Sequence, residues 1–171
     1  PIDVYRRQIK AERDLVVFAL YVRYFPQLVA GPIERARHLL PQLCARHHIY
    51  LEDLVEGAKR IVAGLFLKLA VADRLGILVD SVFGAPGQHS TLATWMSLVA
   101  FGGQIYFDFA SYAGIAIGTA RLFGVRLTEN FNRPLVASSI AEFWNRWHMT
   151  LTRWFHDYVF APLGGFRKGG G

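Results

Sequence analysis

Between Ser81 and Ala120 the only Asp, Glu, Lys or Arg is Asp108. A window of ~19 residues is enough to reveal a membrane-crossing helix, and this run is about twice that length. So long an apolar stretch has to be buried or bathed in lipid, which argues against a water-soluble enzyme. Composition agrees: 53% of residues are hydrophobic, 14% aromatic and only 19% charged, with a mean hydropathy of +0.24, where a charged share near ~25% is usual. Disorder, coiled coil, collagen and disulfide scaffolds are excluded. The single cysteine, Cys44, rules out an internal disulfide and a cysteine-rich metal cage.

Nineteen Lys and Arg against thirteen Asp and Glu leave a net charge of +6. Nucleic-acid binding wants a contiguous basic patch. Here the cations fall in short stretches between apolar runs: Arg6, Arg7, Lys10 and Arg13, then Arg35, Arg37 and Arg46, then Lys59 and Arg60. Contact with anionic lipid headgroups is the simpler account, and no nucleic-acid partner is expected. The chain opens on Pro1 without a signal peptide and closes on Phe166-Arg167-Lys168-Gly169-Gly170-Gly171, which caps nothing. Residues 1–171 are therefore expected to be the central part of one polytopic membrane domain.

Residues 15–33 are apolar except for Arg23 and Gln27, and Pro26, Gly31 and Pro32 should break a helix there. A helix followed by a re-entrant turn is expected, with both flanks basic and the orientation undetermined. Residues 34–48 are polar and histidine-rich and belong at the interface. Residues 52–82 read as helix. Residues 91–107 make the clearest membrane span, and residues 109–124 a second helix carrying Ala110, Gly114 and Gly118, a small-residue ridge suited to close helix packing. Residues 125–137 form a polar connection. Ser138 or Ser139 can cap a last helix, roughly 140–161, with Glu142 placed for a capping box. Three of the four tryptophans, Trp144, Trp147 and Trp154, fall on it, so it is expected to lie along the membrane or dip into it.

Among the histidines, His47-His48 lacks the partners of a metal site, and no metal is expected. On one continuous helix His148 would share a stripe with Asn145, Thr152 and His156, flanked by Trp144 and Leu151. Aromatic burial would lower its pKa and keep it neutral, which suits a base. An interface histidine bonded to a neighbour is the plainer alternative. Asp108 has two readings as well: an ion pair with Arg121, Arg126, Arg133 or a donor from another helix, or a place in the wall of a polar tunnel. Gly-x-Ser-x-Gly, Walker, dinucleotide and HExxH signatures are all missing.

Read as text, YFDFASYAGIAIGTARLFGVRLTENFNRPL (106–135) followed by EFWNRWHMTLTRWFHDYVFAPLGG (142–165) resembles the membrane-bound O-acyltransferase family, and YFPQLVAGPIERARHLLPQL (24–43) resembles its upstream signature. The ending Pro162-Leu163-Gly164-Gly165 resembles the branch that O-acetylates alginate and related exported polymers. The D-alanyl transferases of teichoic acid share the WNRWHMTL-type core. This resemblance implies an all-α polytopic protein of the bacterial cytoplasmic membrane, with re-entrant and interfacial helices around a tunnel. It implies an acyl donor that is acetyl-coenzyme A or a carrier-bound thioester, with no bound cofactor, a polysaccharide hydroxyl as acceptor, and a periplasmic or extracellular partner completing the relay. The family's RWH histidine falls on His148, and its second essential histidine is expected on a helix after Gly171. Trp144, Asn145 and Thr152 would line or support the tunnel, with Asp108 helping to polarise it. Two other readings compete: a catalytically silent, partner-binding relative, and a transporter segment lined by Asp108 and the glycine ridge.

Overall fold

Asp14 starts the first substantial helix: its carboxylate accepts from the backbone N–H of Val16 (2.8 Å) and Val17 (3.3 Å), filling donors that a helix start leaves unpaired. The computed structural model describes residues 2–46 and 48–165. His47 and the tail 166–171 lie outside the described residues. Described residues form helices and turns without a strand: α1 (Ile2–Tyr5), α2 (Leu15–Val22), α3 (Ala36–Cys44), α4 (Leu51–Phe66), α5 (Asp73–Phe83), α6 (Thr91–Leu122), α7 (Ile140–Arg146) and α8 (Met149–Phe155).

Over 15–33 the chain forms α2 and then a 3₁₀ turn, Phe25–Gln27, where Pro26 fixes the backbone and the helix expected to break there does so. The stretch 34–48 is more ordered than its polarity suggests, because α3 occupies most of it. The helix expected over 52–82 is α4 and α5, joined without a break by a π-helical turn, Leu67–Ala72.

The two helices expected at 91–107 and 109–124 are one helix, α6. Ser90 caps its start, and neither Gly102-Gly103 nor Asp108 interrupts the hydrogen-bond ladder. Its end is a Schellman motif: Gly124 takes the left-handed conformation (φ 74°), Val125 N–H donates to Ala120 O (3.0 Å) and Gly124 N–H to Arg121 O (2.9 Å). The expected membrane span over 91–107 is not met. No described helix is long and apolar enough to cross a membrane. Length is not what α6 lacks, since its 32 residues reach roughly 48 Å; Gly102-Gly103-Gln104 and Asp108 dilute its apolar run.

α6 lies antiparallel to α4 and α5. Gly57 backs onto Gly118 and Leu122, Gly64 onto Ser111 and Ile115, and Gly76 onto Gln104. The expected small-residue ridge is thus used at Gly118, whereas Gly114 has no atom within 4 Å of where a Cβ would stand. Asp53, buried at the start of α4, accepts from Arg121 near the end of α6 (3.1 Å). Beyond that end, Tyr24, Leu39, Ile117, Ala120, Val125 and Leu127 form a small core that seats α3 and the 3₁₀ turn against α6.

Residues 140–161 do not form the one helix their sequence suggests. Ser139 does cap α7, accepting from Glu142 N–H (3.1 Å), while the Glu142 carboxylate returns to the N–H and hydroxyl of Ser138 (2.7 Å each) rather than to Ser139. These bonds from Ser138, with Arg146 beside it, hold the Glu142 carboxyl down at about 2. The helix then stops. Trp147 is extended, His148 is left-handed (φ 41°, ψ 53°), and α8 begins only at Met149. A π-helical turn, His156–Phe160, follows. One continuous stripe through Asn145, His148, Thr152 and His156 therefore does not exist.

Candidate active site

His148 sits in the joint between α7 and α8 rather than on a helix face. A left-handed backbone costs a non-glycine residue about 1–2 kcal/mol, so it persists only where its surroundings hold it. The joint is held by the segment before α7. Met149 N–H donates to Asn130 O (2.9 Å), and Asn132 N–H donates to Arg146 O (2.9 Å). Asn130 is wholly buried. Its side-chain oxygen lies 2.9 Å from His148 Nδ1 and accepts from the Thr150 hydroxyl (2.9 Å) and the Thr150 N–H (3.3 Å). Thr150 Oγ1 in turn accepts from Ile33 N–H (3.0 Å), in the segment before α3. Among the described residues, Asn130 Oδ1 is the only hydrogen-bond partner of the His148 ring.

Aromatic rings surround the imidazole. Phe109 of α6 meets it edge-on at 4.8 Å between centroids, Phe131 lies nearly parallel at 6.4 Å, and Trp147 closes the cluster against both phenylalanines. Burial among them lowers the His148 pKa below the ordinary imidazole value. The ring is therefore neutral at neutral pH and can exchange a proton at a nitrogen.

The other expected site residues disperse. Thr152 reaches the joint, its hydroxyl donating to the carbonyls of Trp144 (3.2 Å) and Trp147 (3.4 Å) and so satisfying the end of α7. Trp144 and Asn145, in the last turn of α7, are exposed. The Asp108 carboxylate pairs with Lys68 of the π-helical turn (2.6 Å), which also holds Asp73 (2.8 Å), while the next residue, Phe109, meets the imidazole. The partner of Asp108 is thus a donor from another helix and none of the arginines at 121, 126 or 133. His156 bonds its neighbour Asp157 (3.1 Å) and lies outside the site. Asn130, Thr150, Phe109 and Phe131 were not legible as site residues, although all four stand inside the two long motif stretches.

His148 is thus a neutral imidazole flanked by aromatic rings on a strained joint, braced by a buried amide and chemically able to exchange a proton. Comparison with known proteins gives the class its name. Residues 7–171 match MBOAT, the membrane-bound O-acyltransferase family, and the chain belongs to it. It is 42% identical over 168 residues to the probable alginate O-acetylase AlgI of Pseudomonas fluorescens, covering 98% of this chain and 34% of that protein. It is 38% identical over 152 residues to a peptidoglycan O-acetyltransferase of Helicobacter pylori (88% and 29%), and 30% identical over 154 residues to a teichoic acid D-alanyltransferase of Bacillus subtilis (89% and 39%). The chain thus spans about a third of the length of the curated relatives it matches most strongly.

Proposed function

We propose that the whole protein of which these residues are part is a membrane O-acyltransferase that moves an acetyl group from a thioester to hydroxyls of an exported or cell-surface polysaccharide. The donor is acetyl-coenzyme A or a carrier-bound thioester, no bound cofactor is needed, and a periplasmic or extracellular partner completes delivery at the bacterial cytoplasmic membrane. In the reaction the acceptor oxygen attacks the thioester carbonyl, a C–O bond forms and the C–S bond breaks. The hydroxyl proton passes to a histidine and then to the departing thiolate. We assign this proton traffic to His148 together with a second histidine beyond residue 171.

The observation that carries this reading is His148 itself, a neutral imidazole in an aromatic box, held on a left-handed joint by a buried asparagine. Acetyl rather than D-alanyl transfer is supported by the higher identity to the alginate and peptidoglycan O-acetylating relatives. The test is His148→Ala in the whole protein, with the ester-linked acetyl content of the polymer as readout. Loss of a group that acts on the transition state costs on the order of 10²–10³ in rate, so acetylation should fall to background. Wild-type acetylation in that variant would overturn the assignment.

A further inference from the structure

Resting on the reading of His148 as the working histidine, we propose that Asn130 is its positioning residue: it fixes the imidazole in the Nδ1–H form and leaves Nε2 as the nitrogen that accepts a proton. The geometry decides which atom of the amide faces the ring. Thr150 N–H is a donor with no alternative, and it points at the same Asn130 atom as His148 Nδ1. The Thr150 hydroxyl already accepts from Ile33 N–H, so its own hydrogen is free to go to that atom too. Placing the amide nitrogen there would set donor against donor within a site whose asparagine is 0% exposed. The atom is therefore the oxygen. An amide oxygen only accepts, so Nδ1 must carry the hydrogen.

Two backbone N–H groups, from Ile33 and Thr150, thus set the direction of a chain that ends on the histidine ring. It joins segments far apart in sequence: the upstream signature (Ile33), the connection after α6 (Asn130) and the WNRWHMTL core (His148, Thr150). It also separates two possible roles. A neutral Nδ1–H imidazole cannot donate from Nε2 to a developing oxyanion, but it can take the proton of the acceptor hydroxyl there. Aspartate at position 130 would keep the acceptor and add a negative charge that favours imidazolium. Leucine would remove the acceptor and leave Thr150 N–H unpaired.

The experiment uses the whole protein in lipid nanodiscs with ¹⁵N-labelled histidine, the His148 signal being identified by its loss in His148→Gln. Wild type should show Nδ1 protonated and Nε2 bare. Asn130→Asp should keep that tautomer and raise the titration midpoint of the ring. Asn130→Leu should mix the tautomers and cut polymer acetylation in cells at least about tenfold. An Nε2-protonated ring in wild type overturns the proposal. So does an unchanged tautomer in Asn130→Leu, and if that variant fails to fold, the wild-type and Asn130→Asp spectra still decide. Acetylation that survives His148→Ala would sink the catalytic reading while leaving the tautomer result standing, so the two failures are distinguishable.

Discussion

At the scale of single residues, His148 combines two costs that only a structured surrounding can sustain: a left-handed backbone and a partly buried imidazole. The second has a pH consequence. Burial lowers the folded pKa below the unfolded value of roughly 6.5, so the unfolded chain binds the proton more readily. Stability is then fully present above about pH 6.5, declines as the pH falls towards the folded pKa, and levels off below it. Thermal unfolding of the whole protein followed from pH 8 to pH 5 should show this decline, and His148→Gln should flatten it. Catalysis that needs neutral imidazole should have its acidic limb below about pH 6.5 for the same reason. Identical pH curves for wild type and variant would mean that the ring is not desolvated. His148 was legible from its motif. Asn130 was not, because it stands on irregular backbone with partners 18 and 20 positions away, where no periodicity points to it.

At the scale of elements, the crossing of α4 on α6 depends on glycines spaced for close approach. A Cβ at Gly118 would stand 2.7 Å from the Gly57 carbonyl oxygen and 3.0 Å from Arg60 and Ile61 side-chain atoms, so backbone would have to move. Gly118→Ala should destabilise the protein by about 1–3 kcal/mol, the usual cost of overpacking. Gly114→Ala, four residues earlier with open space around it, should be neutral or stabilise by up to about 1 kcal/mol, since alanine is the better helix former. Chemical unfolding of both variants checks the contrast, and equal effects would mean that the helices do not meet through Gly118. The ridge could be read from residue sizes, but not which of its members met a partner. The break at His148 was hidden for a different reason. No glycine or proline marks it, so extrapolating the 3.6-residue period from α7 produced a stripe that tertiary hydrogen bonds dissolve. Thr152, expected to line a tunnel, is held by its hydroxyl at the end of α7.

At the scale of the whole molecule, the segment before α3 is tied to the turn after α8 mainly through Arg35. Its guanidinium pairs with Asp157 (2.9 Å) and lies 4.2 Å above the Tyr158 ring, while Arg6 covers the same ring at 5.3 Å and Tyr158 OH bonds Asp3. That tie sits beside the Ile33–Thr150 bond, so it bears on the histidine site as well as on stability. Lysine keeps the charge but loses the planar face that stacks on tyrosine. Arg35→Lys should therefore cost about 1 kcal/mol, seen as a lower unfolding temperature, and an unchanged value would mean that the contact with Tyr158 is only charge proximity.

The outer face of α6 raises the remaining question at this scale, because Leu92, Trp95, Met96 and Val99 form one helical stripe in which each side chain is at least 61% exposed. Aqueous exposure of such a stripe is unfavourable by roughly 25 cal/mol per Å², and the family is membrane-bound, so in the whole protein lipid or further apolar helices should cover it. A carboxylate there would then meet a low-dielectric surrounding at a cost of about 2.5–3.5 kcal/mol near a bilayer centre, against a small gain for leucine. Val99→Asp should accordingly lower the amount of whole protein recovered in the membrane fraction at matched expression, while Val99→Leu should not. Full recovery of Val99→Asp would place this face of α6 against water. The polar interruption at Gly102-Gly103-Gln104, only a turn further along, would then belong to a hydrated passage through the protein and not to its lipid boundary.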